Sequence, residues 1–186
     1  TVVFFDASNY NDKVINNVMF NVEGVDPTIN VRINDTTYPD KAVAEISISD
    51  LANGTVKVIV DGKEFNGTVI NGKALVNLTS LSGGVKEAEI RFVSTDNYTN
   101  DINDTAKFVV NKAESTIVIT NDTTTVIATV TANATGTVTF YVNGVERNVT
   151  INNGRAVWEN VLVIGNNTVV AIYNGDVNFT SSRNST

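Results

Sequence analysis

One stretch of this chain occurs twice, and its second copy constrains the fold more than any other feature. Asn53-Gly54-Thr55-Val56-Lys57-Val58-Ile59-Val60-Asp61-Gly62-Lys63-Glu64-Phe65-Asn66-Gly67-Thr68-Val69-Ile70-Asn71-Gly72-Lys73-Ala74-Leu75-Val76 returns 82 residues later, without a gap, as Thr135–Trp158. Gly54/Gly136, Gly62/Gly144 and Gly72/Gly154 keep a single offset. Chance rarely produces such a match, so this is a repeat protein. Each copy reads as three short strands separated by two turns. Asp61-Gly62 and Asn71-Gly72 supply the turns, because Asn, Asp and Gly tolerate positive φ.

The repeat divides the 186 residues into units of about 90, each large enough for its own core because 42% of residues are apolar. The apolar residues are mostly Val and Ile in short alternating runs, a β-rich pattern, and no 3.6-residue periodicity is sustained. The chain has no Cys, His or Gln. Disulfides, Cys/His zinc sites and Ser-His or Cys-His nucleophiles are therefore excluded. A net charge of −7 argues against nucleic acid and against an anionic membrane face. No apolar run approaches the length of a membrane span. Thr1 is not a translation start and no signal peptide is visible, so the expectation is a mature or excised chain.

Residues 1–26 overlie residues 89–114 at an offset of 88, pairing Val2/Ile90, Phe4/Phe92, Asn9/Asn97, Tyr10/Tyr98, Phe20/Phe108 and Val22/Val110. The N-terminus therefore resembles the last two strands of a repeat. Residues 27–113 form a first complete repeat and residues 114–186 a second. Strands over 28–33 and 42–49 precede the repeated stretch, with Ala44, Ile46 and Ile48 on one face of the second of them. Gly83-Gly84 is a turn, 85–93 a strand, Asp96-Asn97-Tyr98-Thr99 a corner, and 105–111 closes the unit. Seven short strands at this spacing predict an Ig-like β-sandwich. The fold expected is all-β: two tandem Ig-like sandwiches preceded by spare strand sequence. In the second repeat Phe179 stands for Tyr98, and no counterpart of Ala106–Asn111 follows, so its closing strand is missing.

A sandwich without its last strand leaves an open edge and an uncovered groove. The N-terminal Val2, Val3, Phe4 and Phe5 have the apolar alternation of 106–112, with Val3 and Phe5 in the places of Phe108 and Val110. Donation of Thr1–Ala7 into a neighbouring copy would satisfy both ends and, as a heterologous contact, could grow a filament. The alternative is a window cut from a longer array, in which further repeats of the same chain are the partners.

Asn is abundant. With 27 Asn and 34 Ser plus Thr, random placement would give about five N-x-S/T triplets, the glycan-acceptor pattern. There are twelve, at Asn34, Asn53, Asn66, Asn77, Asn97, Asn103, Asn121, Asn133, Asn148, Asn166, Asn178 and Asn184. The bland account is that Asn and Thr are common in strands and turns of such repeats. The functional one is an extracellular surface bearing N-linked glycans that cover edges and turn tips.

The run N-G-T-V-K-V-I-V-D-G-K-E-F-N-G-T-V-I-N-G-K-A, with its following strand and D-N-Y-T corner, resembles the Ig-like repeats of archaeal and bacterial adhesin-like surface proteins, most closely those of methanogenic archaea. The resemblance spans nearly the whole chain and implies tandem sandwiches in a cell-surface stalk or adhesive fibre. It implies no catalytic residues and no cofactor, and it says almost nothing of ligand. Phe179 departs from the family's corner Tyr, which removes a hydroxyl.

Other constellations are weaker. Glu64 and Glu146 recur after the turn glycine, which favours cross-strand pairing with Lys or Arg over catalysis. Asp50, Asp61, Asp96, Asp101 and Asp104 offer oxygen ligands for calcium, but no calcium loop pattern exists and a solvated loop is the better account. Lys57 or Lys41 could form an isopeptide bond beside a buried acid, yet Lys57 is expected to face solvent. Trp158 is expected to pack in the core, a sugar-stacking surface Trp being the alternative. Of the consecutive Phe140 and Tyr141, one must face in and one out. An enzyme is not expected. Besides a structural spacer or filament subunit, the remaining class is a binding module recognising a glycan or protein on another cell, marked by an exposed aromatic patch or basic groove.

Overall fold

The computed structural model describes residues 2–4, 13–15, 19–21, 23–49, 52–95 and 100–186. Every regular element among them is a strand. The first unit contains β3 (Ile29–Ile33), β4 (Thr36–Thr37), β5 (Ala42–Ile48), β6 (Gly54–Val60), β7 (Lys63–Val69), β8 (Lys73–Leu78), β9 (Gly84–Ser94) and β10 (Ile102–Asn111). They form two sheets, ordered β3-β5-β8 and β4-β10-β9-β6-β7. Alternation drives the pairing. In β5, Ala42, Ala44, Ile46 and Ile48 are buried while Glu45 and Ser47 face water, and β6 buries Val56, Val58 and Val60. With Ile90, Phe92, Phe108 and Val110 these close one core between the sheets.

The repeated stretch opens as predicted, with β6 and β7 paired through Val60↔Lys63 across the Asp61-Gly62 turn. Its second turn does something else. β7 lies in the larger sheet and β8 in the smaller one, so Asn71-Gly72 carries the chain from one sheet to the other. Asp61 and Asn71 both take positive φ, 50° and 48°. The three strands are thus a hairpin plus a crossover.

The second unit repeats this plan with β11 (Ile117–Asp122), β12 (Thr125–Val130), β13 (Thr137–Val142), β14 (Val145–Thr150), β15 (Arg155–Trp158), β16 (Val169–Tyr173) and β17 (Ser182–Ser185). The sheets are β11-β12-β15 and β14-β13-β16-β17. Val126, Ala128, Val138, Phe140, Ala171 and Tyr173 are fully buried at its centre. The closing edge is short. β17 pairs with β16 from Ser182↔Tyr173 to Ser185↔Val170, and Thr186 exchanges both backbone hydrogen bonds with Val169, whereas β10 pairs with β9 from Ile102↔Phe92 to Val110↔Gly84. Thr186 stands opposite Val169 as Ala106 stands opposite Ala88, and the 186 residues hold no counterpart of 107–111. The first residues of a closing strand are nevertheless in place, which Ser-Arg-Asn-Ser could not signal because it has no apolar alternation.

At the N-terminus β1 (Val2–Phe4) pairs antiparallel with β2 (Lys13–Ile15), the arrangement of β9 with β10. Farther on, Phe20 is 81% exposed while its repeat counterpart Phe108 is 3% exposed. Phe5, Asn9, Tyr10, Val22, Asp50, Asp96, Asn97 and Tyr98 lie outside the described residues. No helix among the described residues is long and apolar enough to cross a membrane.

Candidate functional site: the joint between the sandwiches

The two units meet end to end through loops that the sequence marked only as turns. The first repeat has a longer connection between its first two main strands than the second. Thr28/Thr116 and Ile29/Ile117 are 88 apart, whereas Gly54/Gly136 are 82 apart, so the first repeat carries six extra residues between them. They fall between β3 and β5. There β4 lies parallel to the end of β10, Thr36↔Val110 and Thr37↔Asn111, and the Tyr38 N–H donates to Asn111 O at 2.9 Å. This tether holds Tyr38 at the pole of the first sandwich.

The second sandwich presents its β16–β17 loop to that pole. Phe179 is 5% exposed, packs in the second core, and meets Tyr38 edge to face with centroids 5.4 Å apart. Tyr38 touches both cores. Beside the rings the Gly83 N–H donates to Asn178 Oδ1 at 3.0 Å. Gly83 has to be glycine for steric reasons, since a Cβ there would lie 2.2 Å from Val177 O.

The docking loop is rigid for local reasons. Asp176 Oδ1 accepts from the N–H groups of Asn178 and Phe179 at 2.7 and 2.8 Å. Asp176 Oδ2 accepts from Thr135 N–H and Thr135 Oγ1, both at 2.8 Å. Burial opposes the charge of this carboxylate, but the four hydrogen bonds win and hold its pKa down at about 2. Tyr173 lies beneath it, with a buried hydroxyl that completes no hydrogen bond. Burial first and the neighbouring Asp176 carboxylate next push its pKa up to about 12. The loop is finally tied to the junction itself, for Ala113 N–H donates to Asn178 O and Thr180 N–H to Ala113 O, each at 2.9 Å. Ser115 Oγ donates to Thr180 O at 2.7 Å. Sequence reasoning missed Tyr38, Gly83 and Asp176, although the change of offset from 88 to 82 was a usable signal for the first.

Of the twelve candidate glycan acceptors, Asn34, Asn53, Asn66, Asn77, Asn103, Asn121, Asn133, Asn148, Asn166 and Asn184 are exposed and Asn178 is half-buried in the joint. Asn66 and Asn148 occupy the same place on the edge strands β7 and β14. Asn184 already uses its amide, Nδ2 donating to Ile117 O at 3.0 Å. Glu64 pairs with Lys57 across the hairpin at 2.9 Å, both half-exposed, so Lys57 has no buried acid beside it. Glu146 faces Tyr141 instead of a cation and raises its pKa by hydrogen bonding. Asp101 accepts from Ser94 N–H and Asp61 pairs with Lys86 at 2.6 Å. No three acidic side chains gather as a metal site among the described residues. Trp158 is 8% exposed, against Phe140 on one side and under Arg147 at 5.7 Å, so it cannot stack on a surface sugar. Phe140 faces in and Tyr141 out, at 0% and 37% exposure.

Residues 109–186 match the bacterial Ig-like domain (group 3). Among solved structures, a tetra-tandem repeat from the extending region of a large adhesion protein is similar at 21% identity and a TM-score of 0.50, covering 86% of this chain and 47% of that one. This chain thus spans about half of that repeat segment. A two-domain fibronectin type III segment of chicken tenascin is similar at 11% identity and a TM-score of 0.49, covering 84% and 95%. No curated relative matches. The tetra-tandem likeness bears on the fold alone: tandem Ig-like β-sandwiches.

Proposed function

We propose that the chain is a stalk segment of an extracellular, adhesin-type surface protein, of the kind the methanogen-type repeats suggest, in which Ig-like modules are joined end to end and carry load. The observation that carries this reading is the joint. A ring pair, a side chain–backbone hydrogen bond and a glycine-only contact fix one sandwich on the next, as a spacer requires and a freely jointed pair does not. Small-angle scattering of the purified chain tests it. A single extended two-body envelope is expected, and a broad distribution of inter-domain distances would refute a stalk. Antibody labelling of intact source cells tests the surface location.

Two finer elements belong to the same proposal. Exposed Asn-x-Ser/Thr sites on edge strands, Asn66 and Asn148 above all, carry N-linked glycans that protect open sheet edges. Intact mass before and after deglycosylation decides this, and a mass equal to the bare chain refutes it. The second element is head-to-tail growth by donation of the strand at Val2–Phe5 to the second sandwich of a neighbour. The receiving cleft would be the 220 Å³ space beyond Thr186, walled by Ile119, Val126, Leu162 and Val169. The donor must first leave its pairing with Lys13–Ile15. Light scattering tests this: a chain that stays monomeric, and is unchanged by deletion of residues 1–7, refutes it. The binding-module alternative has lost its best feature, since Trp158 is buried.

A further inference from the structure

Asn178 differs from the other described candidate acceptors in lying inside the joint. Its Oδ1 is fixed by the Gly83 N–H, its backbone N–H by Asp176 and its carbonyl by Ala113 N–H. The side-chain Nδ2, the atom a glycan takes, makes no hydrogen bond among the described residues. The bond through Oδ1 survives substitution at Nδ2. At Asn184 the reverse holds, because Nδ2 itself is the donor to Ile117 O.

Beside Asn178 opens a cleft of about 300 Å³, lined by Tyr38, Pro39, Ser80, Leu81 and Ser82. That is the lower end of the size range of small-molecule sites, ~300–1,000 Å³. Its walls combine an aromatic and a prolyl ring with two serine side chains. Ser82 Oγ accepts from Lys86 Nζ at 3.0 Å and keeps its own proton for donation. Apolar rings beside hydroxyl groups suit a pyranose, whose C–H face packs on rings while its rim hydroxyls exchange hydrogen bonds. The cleft is made by the first sandwich, and the acceptor amide comes from the second.

We propose that this cleft seats the first sugar of a glycan on Asn178, and that the seated pyranose packs on Tyr38 and Pro39 and bridges the two sandwiches. The inference rests on the glycoprotein reading above and adds a site and a mechanical role to it. It also separates the acceptors by consequence. A sugar on Asn148, on the edge strand β14, shields but couples nothing.

The test uses the full chain secreted from a glycosylating host, with glycans trimmed enzymatically to single N-acetylglucosamine residues. Thr180→Ala removes only the Asn178 acceptor motif, and Thr150→Ala only that of Asn148. Site occupancy comes from peptide mass spectrometry and stability from thermal melting. Sugar on Asn178 is expected to raise the melting midpoint by about 2–4 °C, the shift expected for ~1 kcal/mol in a chain this size. The gain should vanish when Tyr38→Ala is introduced both with and without Thr180→Ala. Loss of the Asn148 sugar should show no dependence on Tyr38. The proposal is overturned if Asn178 stays bare while Asn34, Asn66 and Asn148 are occupied. It is equally overturned if the occupied chain gains nothing, or gains as much without the Tyr38 ring. A chain bare at every site would refute the glycoprotein reading and this proposal together.

Discussion

Gly83→Ala is the cleanest way to ask whether the joint couples the sandwiches. The added Cβ would lie 2.2 Å from Val177 O, which belongs to the other unit's backbone and cannot rotate away. Within the first unit the nearest atom to the new methyl is Lys112 Cγ at 3.6 Å, an ordinary contact. Gly83 is absent from the positive-φ positions, so alanine carries no backbone penalty there. The cost therefore falls on the joint. Displacement of the docking loop loses the Gly83–Asn178 hydrogen bond, about 1 kcal/mol. It also loses the Tyr38–Phe179 edge-to-face pair, ~0.5–1.5 kcal/mol. Together they give a coupling of roughly 2 kcal/mol. Differential scanning calorimetry on the tandem chain and on residues 27–113 alone separates the terms. The tandem variant should melt roughly 8–16 °C lower in its first-unit transition, given ~4–8 °C per kcal/mol for a unit this size. The isolated unit should be unmoved. An equal drop in both would mean that Gly83 matters inside its own sandwich, and the steric argument would fail. Gly84→Ala is the control: at φ 121° with nothing within 4 Å, it should destabilise the unit alone and in tandem alike.

Three further outcomes are expected. Asp176 has a folded pKa of about 2, below its ordinary value of 3.8, so its stabilisation is present above pH ~4 and is lost as pH falls toward 2. Discounted for solvent screening this is about 1 kcal/mol, and Asp176→Asn should flatten that arm of a pH–stability curve measured by urea unfolding. Tyr173, raised to about 12, gives the opposite arm: stability falls as pH rises from 10 to 12, and Tyr173→Phe should reduce that slope. Trp158 should emit at short wavelength and resist iodide and acrylamide quenching, and efficient quenching would place it on the surface.

The strands are legible because their residues obey a period of two. Ala44, Ile46 and Ile48 share one face by alternation and are buried together, and Phe140 and Tyr141 divide as consecutive strand residues must. The turns are legible because Asp-Gly and Asn-Gly name positive φ directly. What does not show is which sheet each strand joins. β7 and β8 look like a hairpin locally, and only packing against β5 puts β8 on the opposite sheet. The β17 strand is hidden for a related reason: it is exposed, so nothing selects apolar residues there. The joint is hidden because its chemistry is not periodic. Tyr38 and Phe179 are 141 positions apart and touch only once both sandwiches exist. Gly83 reads as a turn residue, yet the constraint on it is a neighbour's carbonyl and not its own φ.

The modules repeat but their poles do not. Gly84 and Gly165 correspond, both at large positive φ, 121° and 106°. Counting back one residue sets Ile164 where the first unit has Gly83. Ile164 is fully solvent-exposed, at 106%. The second unit also lacks the six residues that hold Tyr38, for Asp122 and Thr125 are joined by a two-residue turn. A third module docked on the second as the second docks on the first would bring its loop carbonyl onto the Ile164 side chain and find no ring to stack on. The contact between the two units is therefore a property of this pair, not of the repeat. Replacing Val163-Ile164 by Ser-Gly would remove the collision without supplying the ring. Transplanting residues 34–41 as well into the second unit's turn should create a pole that binds an isolated second unit, measurable by sedimentation. If the turn transplant alone sufficed, the glycine requirement argued from Val177 O would be wrong.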